Sequence, residues 1–69
     1  MNRIVAFIIK IRKLKGIKQS YMAKQLGISI RQYQRIESGD CGITIDTLES
    51  ICDVLGMGII LVDKSLFKN

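Results

Sequence analysis

The chain has no histidine, no tryptophan and no proline, and only two cysteines. Without histidine there is no imidazole base, no His–Cys or Ser–His pair, and no zinc site built on a histidine ligand. Two cysteines cannot form a four-thiolate zinc site either. Acid is missing from one half: residues 1–36 contain nine Lys and Arg and no Asp or Glu. No apolar run approaches the ~18–20 residues of a spanning helix. MNRIVAFII at the start pairs a basic residue with an apolar run, but that run covers six residues and ends at Lys10. A secretory core needs about 7–15 apolar residues and a small-residue cleavage site. The expectation is a cytoplasmic chain with no membrane partner, in which Cys41 and Cys52 are free thiols that fill space.

The 69 residues and their 48% apolar content predict a single globular domain over 1–69. At that size one core supplies only a few kcal/mol, and a homodimer is the least costly further source of stability. The charge is uneven. Residues 37–69 carry Lys64 and Lys68 against Glu37, Asp40, Asp46, Glu49, Asp53 and Asp63, so the two halves stand at +9 and −4 within a net +5. The first half suits a polyanion and the second does not; the plainer reading is a solvated cationic face. No acid–base set, nucleophile–base pair or metal cluster can be assembled, so the expectation is no catalytic residue, no metal, no cofactor and no enzyme.

Glycine punctuates the chain, and between glycines the apolar spacing is helical. Ile4, Phe7, Ile8, Ile11 and Leu14 form one stripe of a helix over 3–15, which leaves Val5 and Ile9 in need of another partner; a strand over IVAFII fits less well with the basic residues that follow. Met22, Ala23 and Leu26 fall together on a helix over 18–26 stopped by Gly27. Ser29 caps a third helix over 30–37 with Tyr33 and Ile36 inward, and Gly39 closes it. Thr44 caps a fourth over 45–55, with Leu48, Ile51, Cys52 and Leu55 inward. Residues 58–63 are β-branched and apolar on both faces and read as a strand. Such a strand has no sheet to join within the chain. Either it pairs with a symmetry mate across a dimer axis, or the segment is a short fifth helix.

Residues 19–38 place two amphipathic helices around a tight turn, with Ala23 small where they cross and Gly27 free to take positive φ. That is helix-turn-helix spacing, in which the second helix enters the major groove. Two short helices in a plain bundle have the same spacing.

The surrounding residues narrow this. Arg12, Gln19, Ala23, Leu26-Gly27-Ile28-Ser29, Ile36-Glu37-Ser38-Gly39 and Thr47-Leu48 through Leu55-Gly56 closely resemble the Cro/repressor-type helix-turn-helix domain, the XRE family, over about residues 8–56. The resemblance implies an all-α, four- to five-helix, lambda-repressor-like domain binding double-stranded DNA as a homodimer on a palindrome. It implies base contacts from Ile30, Arg31, Gln34 and Arg35 on the third helix. Arg suits guanine and Gln adenine, while Ile30 departs from the family's usual polar residue and suits a thymine methyl or packing. It implies phosphate contacts from Gln19, Ser20, Lys18 and Ser38, with the amides at the start of the second helix and in the 38–42 loop. It implies a structural ion pair between Arg12 and Glu37. Tyr33 is bulkier than the family's aliphatic residue and is expected to fill core.

Dimerisation is expected from 57–69, chiefly Ile59, Ile60, Leu61 and Val62. A strand after the fourth helix also resembles the antitoxins of Hip-type toxin–antitoxin pairs. Two functional expectations follow: a transcriptional repressor of a prokaryote or phage, or an antitoxin whose second partner is a toxin protein and which represses its own operon.

Overall fold

The computed structural model describes residues 2–67. Four helices follow in order: α1 (Arg3–Leu14), α2 (Gln19–Leu26), α3 (Ile30–Ser38) and α4 (Ile45–Val54), with a single 3-10 turn at Lys64–Leu66. The fold is all-α, and each helix begins and ends within a residue of its expected range.

Local chemistry sets those limits. Asn2, Ser29 and Thr44 each cap a helix, accepting from the amides of Ile4, Gln32 and Thr47. Gln32 returns a bond to the Ser29 amide and completes a capping box. At the other end of α2, Gly27 takes φ +70°, which lets its own amide reach the Lys24 carbonyl (3.2 Å) and the Ile28 amide reach the Ala23 carbonyl (3.0 Å). A side chain at Gly27 would strain that conformation, and the three-residue turn into α3 depends on it. Gly39 ends α3 in the same way, with φ +83°. Ile17, Ile28 and Met57, which follow the glycines closing α1, α2 and α4, pack on the core. The residue after Gly39 is Asp40, which is exposed, and the loop leaving α3 is anchored on the core further along, at Ile43.

The core joins Ile8 of α1, Met22 and Ala23 of α2, Tyr33 of α3, and Leu48, Ile51, Cys52 and Leu55 from α4 and its end. α2 packs against α3 and α4, and α1 packs against α3. Burial pushes the Cys52 thiol up, as fits a space-filling thiol. Cys41 lies exposed in the loop.

Two expectations need correction. The buried face of α1 is Val5, Ile8 and Arg12. The stripe of Ile4, Phe7 and Leu14 points to solvent, Leu14 being 72% exposed. α1 carries apolar residues around much of its circumference, and the buried face is the one holding the charged Arg12, which a periodicity count places outside. The second correction concerns 58–63. Among the described residues there is no strand, and this segment runs without regular structure. β-branched residues favour an extended chain, but a strand exists only with a ladder partner, and within one chain there is none. Ile59, Ile60, Leu61 and Val62 are all exposed, Leu61 to 94%. A fifth α-helix is also absent among the described residues. The turn at Lys64–Leu66 is one short cycle, begun by the Asp63 carboxylate accepting from the Ser65 amide at 2.9 Å.

Candidate nucleic-acid interface

α3 divides sharply. Tyr33 and Glu37 are buried and Ile36 is half-buried, while Ile30, Arg31, Gln34, Arg35 and Ser38 are exposed. At ~100° per residue those five lie on one arc about 140° wide. The four residues expected to read bases therefore share one open face. Beside it is the start of α2, the one helix of the four whose N-cap residue, Lys18, makes no side-chain cap bond. Its leading amides are left for an external acceptor at the positive end of the helix dipole.

A cleft between α1, α2 and α3 is lined by Lys13, Lys18, Gln19, Gln34 and Ser38, with Ile9, Arg12 and Glu37 in its wall. Of the expected phosphate contacts, Lys18, Gln19 and Ser38 meet here. Ser20 does not: it lies on an adjoining depression with Tyr21 and Lys24, and Lys18 borders both. The Ser38 hydroxyl donates to the Arg35 carbonyl of its own helix at 3.1 Å, so its oxygen, not its proton, faces outward. Lys13 lines the cleft alongside Lys18.

Under the cleft lies the Arg12–Glu37 pair. Arg12 Nε donates to Glu37 Oε2 at 2.7 Å and Nη2 to Oε1 at 3.0 Å, a two-pronged contact between residues 8% and 6% exposed. Arg12 Nη1 donates to the Ile17 carbonyl at 2.9 Å, tying the α1–α2 turn to the same centre. The hydrogen bond to Glu37 raises the Arg12 guanidinium further above its ordinary range. Burial alone would push the Glu37 carboxyl up, but hydrogen bonds led by Arg12 outweigh it and hold the group below the usual carboxylate range. Tyr33 is fully buried close by, and its hydroxyl has no hydrogen-bond partner. Burial, with the neighbouring carboxylate, pushes its ionisation well above the ordinary phenol range.

From this centre a chain of bonds runs to the open face. Gln19 Nε2 donates to Glu37 Oε1 at 2.9 Å, and Gln34 Nε2 donates to Gln19 Oε1 at 3.2 Å. Sequence reasoning placed all four residues but not the bonds from Glu37 to Gln19 and from Gln19 to Gln34, which depend on rotamers that no spacing reveals. Nor does spacing reveal what Lys15 engages. Lys15 Nζ donates to the Leu55 carbonyl at 2.6 Å, a cation at the negative end of α4. Arg12 and Lys15 are thus engaged within the fold, and the cations set around the open face are Lys13, Lys18, Arg31 and Arg35.

Among the described residues no group of three or more His, Cys, Asp or Glu is placed to hold a metal, and no helix is long and apolar enough to cross a membrane.

The helix-turn-helix geometry has its counterpart in the comparison with known families. The family model described as Helix-turn-helix matches residues 8–61, most of the chain. The protein belongs to this family, that of Cro/repressor-type DNA-binding domains, and is a DNA-binding transcription regulator. No curated protein and no solved structure matched it.

Proposed function

We propose that the protein is a repressor that binds a palindromic operator as a homodimer, with α3 of each protomer in the major groove. The observation that carries this reading is the open arc of Ile30, Arg31, Gln34 and Arg35 beside the uncapped start of α2. Phosphates held at the α2 amides, Lys13 and Lys18 fix the register, and the side chains of α3 read base edges. Occupying an operator is enough to block transcription, so repression needs no further surface.

Two-fold binding follows from the small number of base-reading groups on one protomer and from the surface left uncovered. Ile4, Phe7 and Leu14 of α1 are exposed, and so are Ile59, Ile60, Leu61, Val62, Leu66 and Phe67. The Lys15–Leu55 bond brings the end of α1 to the start of the C-terminal segment. On the helical wheel the α1 stripe lies away from Ile9 and Lys13, which line the cleft, so pairing there leaves α3 free.

Selection of bound duplexes from a random pool at near-physiological salt tests the reading. The expected product is a palindrome with half-sites about 34 Å, one helical turn, apart. Binding without enrichment, lost as salt rises, would reduce the protein to phosphate contacts and refute it. A second reading, an antitoxin, is favoured by the exposed Leu66-Phe67 end, which then serves a toxin protein. Purification from the native host decides, since only this reading yields a stoichiometric second protein.

A further inference from the structure

α3 has a second flank. The cleft over Arg12 and Glu37 takes the Gln34 and Ser38 side of the helix. A different cleft, of about 460 Å³, takes the Gln32, Arg35 and Ile36 side and runs between α3, the 39–44 loop and the start of α4. Its volume falls in the range of small-molecule sites, about 300–1,000 Å³. Leu26, Ile28 and Ile36, all half-buried, give it an apolar lining.

Its two walls carry opposite chemistry. On α3, Gln32 and Arg35 stand three residues apart and share a flank. Gln32 Oε1 accepts from the Ser29 amide at 3.0 Å, which leaves that side chain only its N–H groups. Arg35 is in no ion pair, since the one ion pair among the described residues is Arg12–Glu37. The α3 wall is therefore a set of donors with one positive charge. On α4, Asp46 is the one acid lining the cleft, and it too is in no ion pair. The Ser50 hydroxyl gives its proton to the Asp46 carbonyl at 3.1 Å, so its oxygen is left to accept. Thr47 accepts from the Thr44 hydroxyl at 3.0 Å and keeps its own proton.

We propose that this cleft binds a small zwitterion with an aliphatic side chain, an amino acid or a dipeptide, and that the bound molecule draws Arg35 off the DNA-facing side of α3. A plain carboxylate would meet the like charge of Asp46, and a plain amine that of Arg35. A zwitterion complements both walls: its carboxylate takes Arg35 and Gln32, and its ammonium takes Asp46 and Ser50. Its side chain covers Leu26, Ile28 and Ile36. The coupling to DNA rests on the reading that α3 enters the major groove. At ~100° per residue, Arg35 stands at the edge of the open arc, next to the cleft. One guanidinium serves the groove or the cleft, not both at once. Zwitterion and operator therefore weaken each other by the same factor.

The test is an amide NMR titration of the full chain with leucine and with leucyl-leucine, which differ in the separation of their charges. N-acetylleucine and leucinamide, each lacking one charge, are the controls. At least one zwitterion is expected to shift the amides of Ile28, Ile36, Gly42, Thr47 and Ser50. The controls should bind about 10-fold more weakly, the effect of losing a charge-assisted hydrogen bond. Asp46→Asn lies outside the face assigned to DNA; it should melt cooperatively, keep wild-type operator affinity and lose the zwitterion. On an operator recovered by duplex selection, saturating zwitterion should weaken the wild type about 10-fold, the effect of losing one good base contact, and leave Asp46→Asn unchanged. If neither zwitterion shifts these amides, or a control binds as well, the site is overturned. Binding in the cleft with operator affinity unchanged overturns the coupling through Arg35. If the chain selects no sequence, the base-reading assignment of α3 fails, and the titration still decides the cleft by itself.

Discussion

Two regions of this chain are rich in apolar residues and have opposite fates. Residues 3–56 fold into four helices around a shared core, joined by the Arg12–Glu37 pair and by Lys15 on the Leu55 carbonyl. Residues 58–67 include Ile59, Ile60, Leu61, Val62, Leu66 and Phe67, and every one is exposed. The first region supplies its own partners for its core side chains and most of its backbone groups, and leaves Ile4, Phe7 and Leu14 open. The second has apolar surface and no partner for it. Hydrophobicity by itself therefore does not place a segment inside; it places a segment against whatever complementary surface is present.

The comparison breaks most visibly at Glu37. Glu37→Ala leaves the buried Arg12 without its counter-charge, and a loss of about 3–5 kcal/mol is expected, a large share of the stability of so small a domain. Urea unfolding followed by circular dichroism reads it; a loss under 1 kcal/mol would show the pair to be effectively solvated. The same carboxylate ties stability to pH. Its ionisation is lowered by folding, so it contributes fully above its unfolded value of 4.5, and that contribution is lost as pH falls through the lower, folded value. Acid unfolding of the wild type should show this step, and Glu37→Gln should lack it.

Tyr33→Phe sharpens the comparison from the opposite direction. It deletes a buried hydroxyl that has no partner, and a gain of up to about 1 kcal/mol is expected in the same unfolding assay. A clear loss would mean that the hydroxyl satisfies Glu37 or Arg12 in solution. The smallest effect belongs to the open region. Leu61→Glu, at 94% exposure, should change the stability of the isolated protomer by less than about 0.5 kcal/mol. Sedimentation should nevertheless show the proposed dimer lost, and a Leu61→Glu protein that associates as tightly as wild type would move the proposed interface off this segment.

Much of the folded region was legible because its punctuation is chemical. Ser29 and Thr44 begin helices by accepting from amides, and Gly27 and Gly39 end them at positive φ. The open face of α3 was legible too, since Tyr33, Ile36 and Glu37 fall on its other side. α1 was misread because Ile4, Val5, Phe7, Ile8, Ile9 and Ile11 give it no polar side in that stretch, and its burial is decided by the ion pair at Arg12. The C-terminal segment was misread as a strand because propensity describes what a chain prefers once paired. The uncapped start of α2 was readable in Lys18, where a Ser, Thr, Asp or Asn would have filled the amides.

The Arg12–Glu37 bonds span 25 residues of sequence, and the Lys15–Leu55 bond spans 40, in a molecule whose contacts mostly join residues close in sequence. Helical domains dominated by such local contacts fold in microseconds to milliseconds. The two long-range bonds form only once α1 has met α3 and the end of α4, after the helices that hold them exist. They act as latches closed late. Removing either should leave the folding rate nearly unchanged and appear in the unfolding rate, so this small regulator keeps its shape between encounters with DNA chiefly by coming apart slowly.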